Sequence, residues 1–547
     1  MSRRIQPAIL AALALTLTAG SPSLAKGPTL TGLFPAGAAR GQTLTVAATG
    51  SFDHWPVTAW TDGAGLSIAA GSAKGTLEIR VAADAEPGIR WVRLWDQEGA
   101  TALRPFLIGT LPEVVESEPN DDPRRPQVLP RPSVTVNGRL AKTGDVDGFS
   151  VPLRRGETLV ADLEANRHLG SPMDAVLQVV SASGFVLAQN DDTVGRDPRI
   201  VFEVPADGTY TVRLFAFPAA PNSSIQFAGG ESFVYRLTLT TGGFLDHVFP
   251  LAVSRDTPTK VAAVGPNIPE AARVLAVTGD PGRDEQCVWH PMLAGTAEVR
   301  VVPGPAAVES EPNDPAHPQE IRAPAAISGR LDPPGDQDNF RFTLKKGEKR
   351  VVQVESRSLG LPLDAILRLT DAKGKQLDES DDVGEGRDPK LAFTAPADGE
   401  YRIQIRDLND QGGPRFSYLI LIRAPEPDFS LSIATDRFEV IPGKSTNLSV
   451  TIDRKDGFTG AIEIRAEGLP DGVTTGPVTS KPGDDSSKTV TLSLSADGRA
   501  HPGSFRVVGK AASLPTSRAA LAAIADFAAK TDRPWLTIRP SPGSAKP

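Results

Sequence analysis

A chain of 547 residues exceeds what one hydrophobic core usually serves, so several domains of roughly 100 to 150 residues each are expected. Its 51 Gly and 49 Pro, beside 40% hydrophobic residues, fit many short strands joined by turns and argue against long helices or a disordered chain. The formal charge of −8 argues against nucleic acid or an anionic membrane as partner, and the single cysteine, Cys287, excludes an intramolecular disulfide.

The first 25 residues read as a secretory leader: Arg3 and Arg4, the apolar run Ala8 to Ala19, then Ser23-Leu24-Ala25 with small residues where cleavage needs them. The run is too short to span a bilayer, no later stretch is long enough, and no cysteine follows it to carry a lipid. The expectation is export to the periplasm or the cell surface and beyond, with no transmembrane anchor once the leader is removed. Losing Arg3 and Arg4 takes the charge from −8 to −10.

Residues 26–112 predict a first sandwich unit. From there the chain repeats itself at an offset of about 190 residues. ESEPND at Glu116 to Asp121 returns at Glu309 to Asp314, and GDVDGF at Gly144 to Phe149 returns as GDQDNF at Gly335 to Phe340. MDAVL at Met173 returns as LDAIL at Leu363, NDD at Asn190 as SDD at Ser380, and GRDPRI at Gly195 as GRDPKL at Gly386. PADGTYTVRL at Pro205 returns as PADGEYRIQI at Pro396. The alternation Tyr210-Thr-Val-Arg-Leu214 and Tyr401-Arg-Ile-Gln-Ile405 has the two-residue period of a half-buried strand, and Pro-Ala-Asp-Gly supplies the turn before it. These strings predict repeated units at 113–241 and 307–424.

The segment 242–306 reads as a smaller β domain related to the first, since Phe34-Pro35, Arg40, Val46 and Gly50 find counterparts at Phe249-Pro250, Arg255, Val261 and Gly265. Residues 425–540 carry another alternating pattern and predict a further immunoglobulin-like sandwich, with 519–529 open between a short helix and an Ala-rich strand. A disordered tail is expected at 541–547. The fold class is therefore all-β, in tandem sandwich domains.

Each repeat gathers oxygen donors in two strings. Glu116, Glu118, Asn120 and Asp121 precede Asp145 and Asp147, and the second copy keeps all six at Glu309, Glu311, Asn313, Asp314, Asp336 and Asp338. Calcium is a hard cation that takes six to eight such oxygens. In extended chain, Glu116 and Glu118 share a face, as do Asp145 and Asp147. Solvated linker and turn residues are the alternative for either copy alone; retention of the whole set in a diverged copy favours metal binding.

The order ESEPND, GD-x-D-x-F, DA-x-L, PADG-x-Y resembles the bacterial pre-peptidase C-terminal domain, a jelly-roll-like sandwich found behind the catalytic domains of secreted peptidases. The resemblance covers about Val115 to Thr240 and Val308 to Arg423. It implies calcium ligands at Glu116, Glu118, Asn120, Asp121 and Asp147, with Asp145 beside them, and at the matching positions of the second copy. No peptidase domain is attached, and only 4 Tyr are present, so the aromatic surface that collagen binding wants is not evident. The segment Pro28 to Gly50 resembles the start of an IPT/TIG immunoglobulin-like domain. Together these imply jelly-roll-like modules alternating with immunoglobulin-like ones.

The chain lacks HExxH, Walker and GxSxG motifs, and its six His are scattered. Cys287 and His290, three apart on a strand, point to opposite faces, so a semi-buried thiol beside Trp289 is expected. Asp191-Asp192 and Asp381-Asp382 read as loop caps with Arg196 and Arg387 as counter-charges, the alternative being a second ion or acid-pair site. The functional expectation is an exported, non-enzymatic binding or scaffold protein of the cell envelope, whose partner is an envelope or extracellular protein or polysaccharide. The alternative is an accessory or targeting subunit for a separately encoded secreted peptidase. A third reading, a hydrolase acting through Asp145 and Asp147, lacks a catalytic motif.

Overall fold

The computed structural model describes residues 26–220, 226–382 and 388–540. The leader read at 1–25 and the tail read at 541–547 lie outside the described residues. The chain is all-β: short strands assemble into paired sheets, each pair enclosing an apolar core. In the first unit, Leu33, Val46, Leu77 and Ile79 of one sheet meet Val92, Leu94, Phe106 and Ile108 of the other.

The two repeats have the same architecture strand for strand. In the first, one sheet runs in the order Glu113–Val115, Val134–Arg139, Val234–Thr240, Thr158–Glu164, Arg199–Glu203. The other runs Gln127–Val128, Asp147–Leu153, Gly208–Pro218, Met173–Val180, Val186–Asn190. In the second repeat the orders are Ala306–Val308, Ala325–Arg330, Ser417–Arg423, Lys349–Glu355, Lys390–Thr394, and Gln319–Glu320, Gln337–Leu344, Gly399–Asp407, Ala365–Asp371, Gln376–Ser380. Register is kept too: Asp147 sits opposite Leu214, and Asp338 opposite Ile405. Both cores follow from the period-two pattern. Phe149, Tyr210, Val212 and Leu214 point inward in one, and Phe340, Tyr401, Ile403 and Ile405 in the other.

The intervening small unit pairs His247–Phe249 with Thr259–Val264 and Ala252–Ser254 with Ala297–Val302, as the first unit pairs Gly32–Phe34 with Thr43–Thr49 and Gly37–Ala39 with Arg104–Gly109. In the last unit, Arg518–Ala523 is a strand between Asp428–Ile433 and Arg506–Lys510. The alternation decides it: Ala520 and Ala522 are fully buried while Leu521 between them is exposed.

The units touch beyond their order in sequence. Arg93 of the first unit is wholly buried, its guanidinium on the Asp436 carboxylate and, at 3.2 Å, on the Asp436 carbonyl of the last unit. Trp91 packs edge-on against Phe527 with ring centres 5.0 Å apart. At the centre, Asp246 of the small unit accepts from Arg199 of the first repeat and, at 3.0 Å, from Arg415 of the second. No helix among the described residues is long and apolar enough to cross a membrane.

Candidate metal centre

The acidic strings come together because of how each repeat begins. Glu113–Val115 runs parallel to Val134–Arg139, and the Glu116 N–H still bonds the Asn137 carbonyl at 3.0 Å. The chain then leaves this sheet, crosses the end of the sandwich through Glu118, Pro119, Asn120 and Asp121, and joins the opposite sheet at Gln127–Val128. Its neighbour there is Asp147–Leu153, whose first residue and preceding loop carry Asp147 and Asp145. Gln127 clasps the crossing, accepting from the Ser117 N–H at 2.8 Å. Gln319 does the same for Ser310 at 2.8 Å.

In the first repeat, one oxygen from each of Glu118, Asp121, Asp145 and Asp147 lies within 4.8 Å of the others. Oxygens on opposite sides of a calcium lie about 5 Å apart, twice its ligand distance of roughly 2.3 to 2.6 Å. Glu116 borders the cluster, taking the Arg139 N–H at 2.7 Å and the Tyr235 hydroxyl at 3.1 Å. The Tyr235 hydroxyl also reaches Asp147 at 2.5 Å. In the second repeat, Glu309, Glu311 and Asp338 form the corresponding group. Asn313 borders it, its Nδ2 donating to Glu309 at 3.3 Å. Tyr418 bridges Glu309, at 3.0 Å, and Asp338.

Two members of the second sextet stand apart. Asp314 turns into its own loop, accepting the Ala316 and His317 N–H groups at 2.8 and 2.9 Å and facing the His317 ring at 3.1 Å. Asp336 accepts the Asp332 and Gln337 N–H groups at 2.9 and 2.8 Å. Their oxygens are satisfied locally and are not part of the three-carboxylate group.

Several of the clustered oxygens are desolvated and lack a donor. Asn120, Asp145, Asp147, Asn313 and Asp338 are buried, and an Oδ1 of each has no hydrogen-bond partner among the described residues. For Asn120 the Nδ2 is unpartnered as well, and for Asp121 the Oδ1. Burial, then the neighbouring Glu116 charge, pushes the Asp147 carboxyl well above the usual range; burial and Glu309 do the same to Asp338. Buried charge without compensation is costly, so such a carboxyl takes up a proton or shares a cation. The donor set is oxygen alone, with no His or Cys in either group, which suits calcium over zinc, copper or iron.

Sequence reasoning missed Tyr235 and Tyr418, although they occupy matched places in FVYRL (Phe233 to Leu237) and FSYLI (Phe416 to Ile420). It also missed Gly138 and Gly329. A Cβ at either glycine would overlap the tyrosine phenol and the Glu116 or Glu309 carboxylate, so the close approach requires glycine.

Elsewhere the geometry is quieter. Burial pushes the Cys287 thiol up to about 12, far from a reactive thiolate. Asp191, Asp192, Asp381 and Asp382 are exposed, and Arg387, read as a counter-charge, lies outside the described residues.

Residues 336–407 match the bacterial pre-peptidase C-terminal domain. That stretch holds Asp336 and Asp338 but starts after Glu309 to Asp314. Over 251 residues the chain is 28% identical to a probable subtilase-type serine protease of Deinococcus radiodurans, covering 43% of this chain and 26% of the relative's length. Among solved structures, the chain is similar to a periplasmic inhibitor of g-type lysozyme from Aeromonas hydrophila. That match has 12% identity and a TM-score of 0.16, covering 22% of this chain and 96% of the inhibitor. It is also similar to fibronectin(III)-like modules of Clostridium thermocellum CbhA at 8% identity and a TM-score of 0.13, covering 37% of this chain and 95% of theirs.

Proposed function

We propose that this chain is an exported, non-catalytic binding or scaffold protein of the cell envelope, built on two pre-peptidase C-terminal-like modules that each take a calcium ion, with immunoglobulin-like units between and beside them. The observation that carries the reading is the gathering of carboxylates in both repeats, which include buried Asp residues with an oxygen that has no hydrogen-bond donor among the described residues. Glu118, Asn120, Asp121, Asp145 and Asp147, with Glu116 beside them, would hold the first ion. Glu309, Glu311, Asn313 and Asp338 would hold the second.

Such an ion ties the crossing segment, which links the two sheets of the repeat, to the start of a core strand. Binding therefore stiffens the entry of each repeat. At a hundred times the dissociation constant each ion adds about 2.7 kcal/mol. Thermal melting of the full chain in calcium and in EGTA tests this: chelation lowers the melting temperature and opens protease cleavage near Glu116 and Glu309. Identical melting and cleavage in both buffers would overturn the proposal.

A second reading is favoured by the 251-residue likeness to part of a probable subtilase-type serine protease. Here the chain is an accessory subunit that targets a separately encoded secreted peptidase or presents substrate to it. Co-purification of a peptidase with the tagged chain from its own secretome supports this reading, and its consistent absence removes it.

A further inference from the structure

The two clusters differ in one cation. The Lys142 ammonium lies 3.0 Å from Asp121 Oδ2 and 3.7 Å from Asp145 Oδ1. Aligning Ala141 to Asp147 with Asp332 to Asp338 puts Pro333 where Lys142 stands. The two carboxylates that Lys142 touches are the counterparts of Asp314 and Asp336, the two that stand apart in the second repeat. Where the lysine is present, four carboxylates stay gathered; where proline replaces it, three do.

We infer that Lys142 is a built-in counter-ion of the first cluster, holding Asp121 beside Asp145, whose Oδ2 the Ala141 N–H already fixes, without a divalent ion and giving way when one binds. This rests on the calcium reading above. Asp121 Oδ1 and Asp145 Oδ1 are both buried without a hydrogen-bond donor, so an ion drawing them inward must come close to the ammonium. Like charges repel at that separation. The Lys142 side chain is 64% exposed, and water receives it when it swings away. The lysine therefore preserves the shape of the first site when calcium is scarce and lowers its affinity. Among the described residues no Lys or Arg pairs with the second group, so the second site takes its full shape from the ion.

Calcium titrated calorimetrically into the full chain tests this, with one site silenced at a time. In an Asp338→Asn background only the first site reports, and Lys142→Met tightens it by about fivefold, the upper range of an exposed ion pair. Lys142→Arg, which keeps the charge, leaves it unchanged. In an Asp147→Asn background only the second site reports, and Lys142→Met leaves that affinity unchanged. In EGTA, Lys142→Met makes the 116–145 segment more sensitive to protease. An unchanged or weakened first-site affinity, or equal tightening at both sites, overturns the role given to Lys142 while the calcium reading stands. No calcium heat at either site in the wild-type chain sinks the calcium reading and the lysine's role with it.

Discussion

The first and second repeats share ten strands, their order and their register, yet differ at the rim of the acidic cluster and at the joint with the small unit between them. The parts that agree are those that also build the sandwich: Tyr235 and Tyr418 in the core, Gly138 and Gly329 beneath them, Asp147 and Asp338 in the ladder. Of the parts that differ, Lys142 and Pro333 face solvent. Packing holds the floor of the site constant, while the rim is free to set how tightly each proposed site would hold an ion.

The largest difference lies at the joint. Arg199 of the first repeat is mostly buried between the Asp162 and Asp246 carboxylates, whereas its counterpart Lys390 is exposed. Arg415 reaches Asp246 from the second repeat but is more open to solvent. Removing one partner of a buried pair leaves an uncompensated charge, so Arg199→Met should cost about 3 to 5 kcal/mol. Arg415→Met and Lys390→Met should each cost less than about 1 kcal/mol. Thermal melting of the three variants ranks them. Burial alone would raise the Asp246 carboxyl, but the hydrogen bond from His247 and the charges of Arg199 and Arg415 hold it well below the usual range. Its contribution is thus present above the ordinary carboxylate range and fades as pH falls below about 4. The wild-type melting temperature should drop on acidification more than that of Arg199→Met. Equal losses from Arg199→Met and Arg415→Met would erase the asymmetry.

Next comes the floor of each site, where the repeats should behave alike. Asp147→Asn and Asp338→Asn each remove a carboxylate that burial and neighbouring acids hold in its neutral direction. Without calcium, either change relieves crowding and should leave the melting temperature unchanged or higher. With calcium at a hundred times the dissociation constant, each should forfeit about 2.7 kcal/mol of ion-dependent stabilisation. The sign of the effect thus reverses between the two buffers. A loss of the same size in EGTA would make these aspartates structural hydrogen-bond acceptors and nothing more.

Much of this was legible in the sequence. The repeat stood out because its shared strings mark turns and strand starts, and alternation such as Tyr401-Arg-Ile-Gln-Ile405 fixed which residues face the core. The donors were read from two acidic strings that recur in both copies and from the family resemblance, and the structure gathers Glu118, Asp121, Asp145 and Asp147 in one copy and Glu309, Glu311 and Asp338 in the other. The positions of Asp314 and Asp336 were not legible, because a carboxylate in a tight loop chooses between its own backbone N–H groups and a distant cluster by conformation. Nor was the contact between Arg93 and Asp436, 343 residues apart, which depends on how the units pack. The role of the tyrosines was hidden by reading their scarcity as a property of the surface.

The finest test concerns those rim carboxylates. Asp121 keeps one oxygen on Lys142 and the other buried without a donor, while Asp314 spends its Oδ1 on two N–H groups and the His317 ring and is half exposed. Replacing a charged ligand by an amide weakens an ion; replacing a loop acceptor of the same shape changes surface stability by less than about 0.5 kcal/mol. Asp121→Asn should therefore weaken calcium at the first site severalfold in an Asp338→Asn background. Asp314→Asn should leave the second site within about twofold of its starting affinity in an Asp147→Asn background. If the two changes weakened their sites equally, Asp314 must leave its loop to join the ion. The repeats would then differ only before calcium arrives, and the proline at 333 would cost the second site a search that Lys142 spares the first.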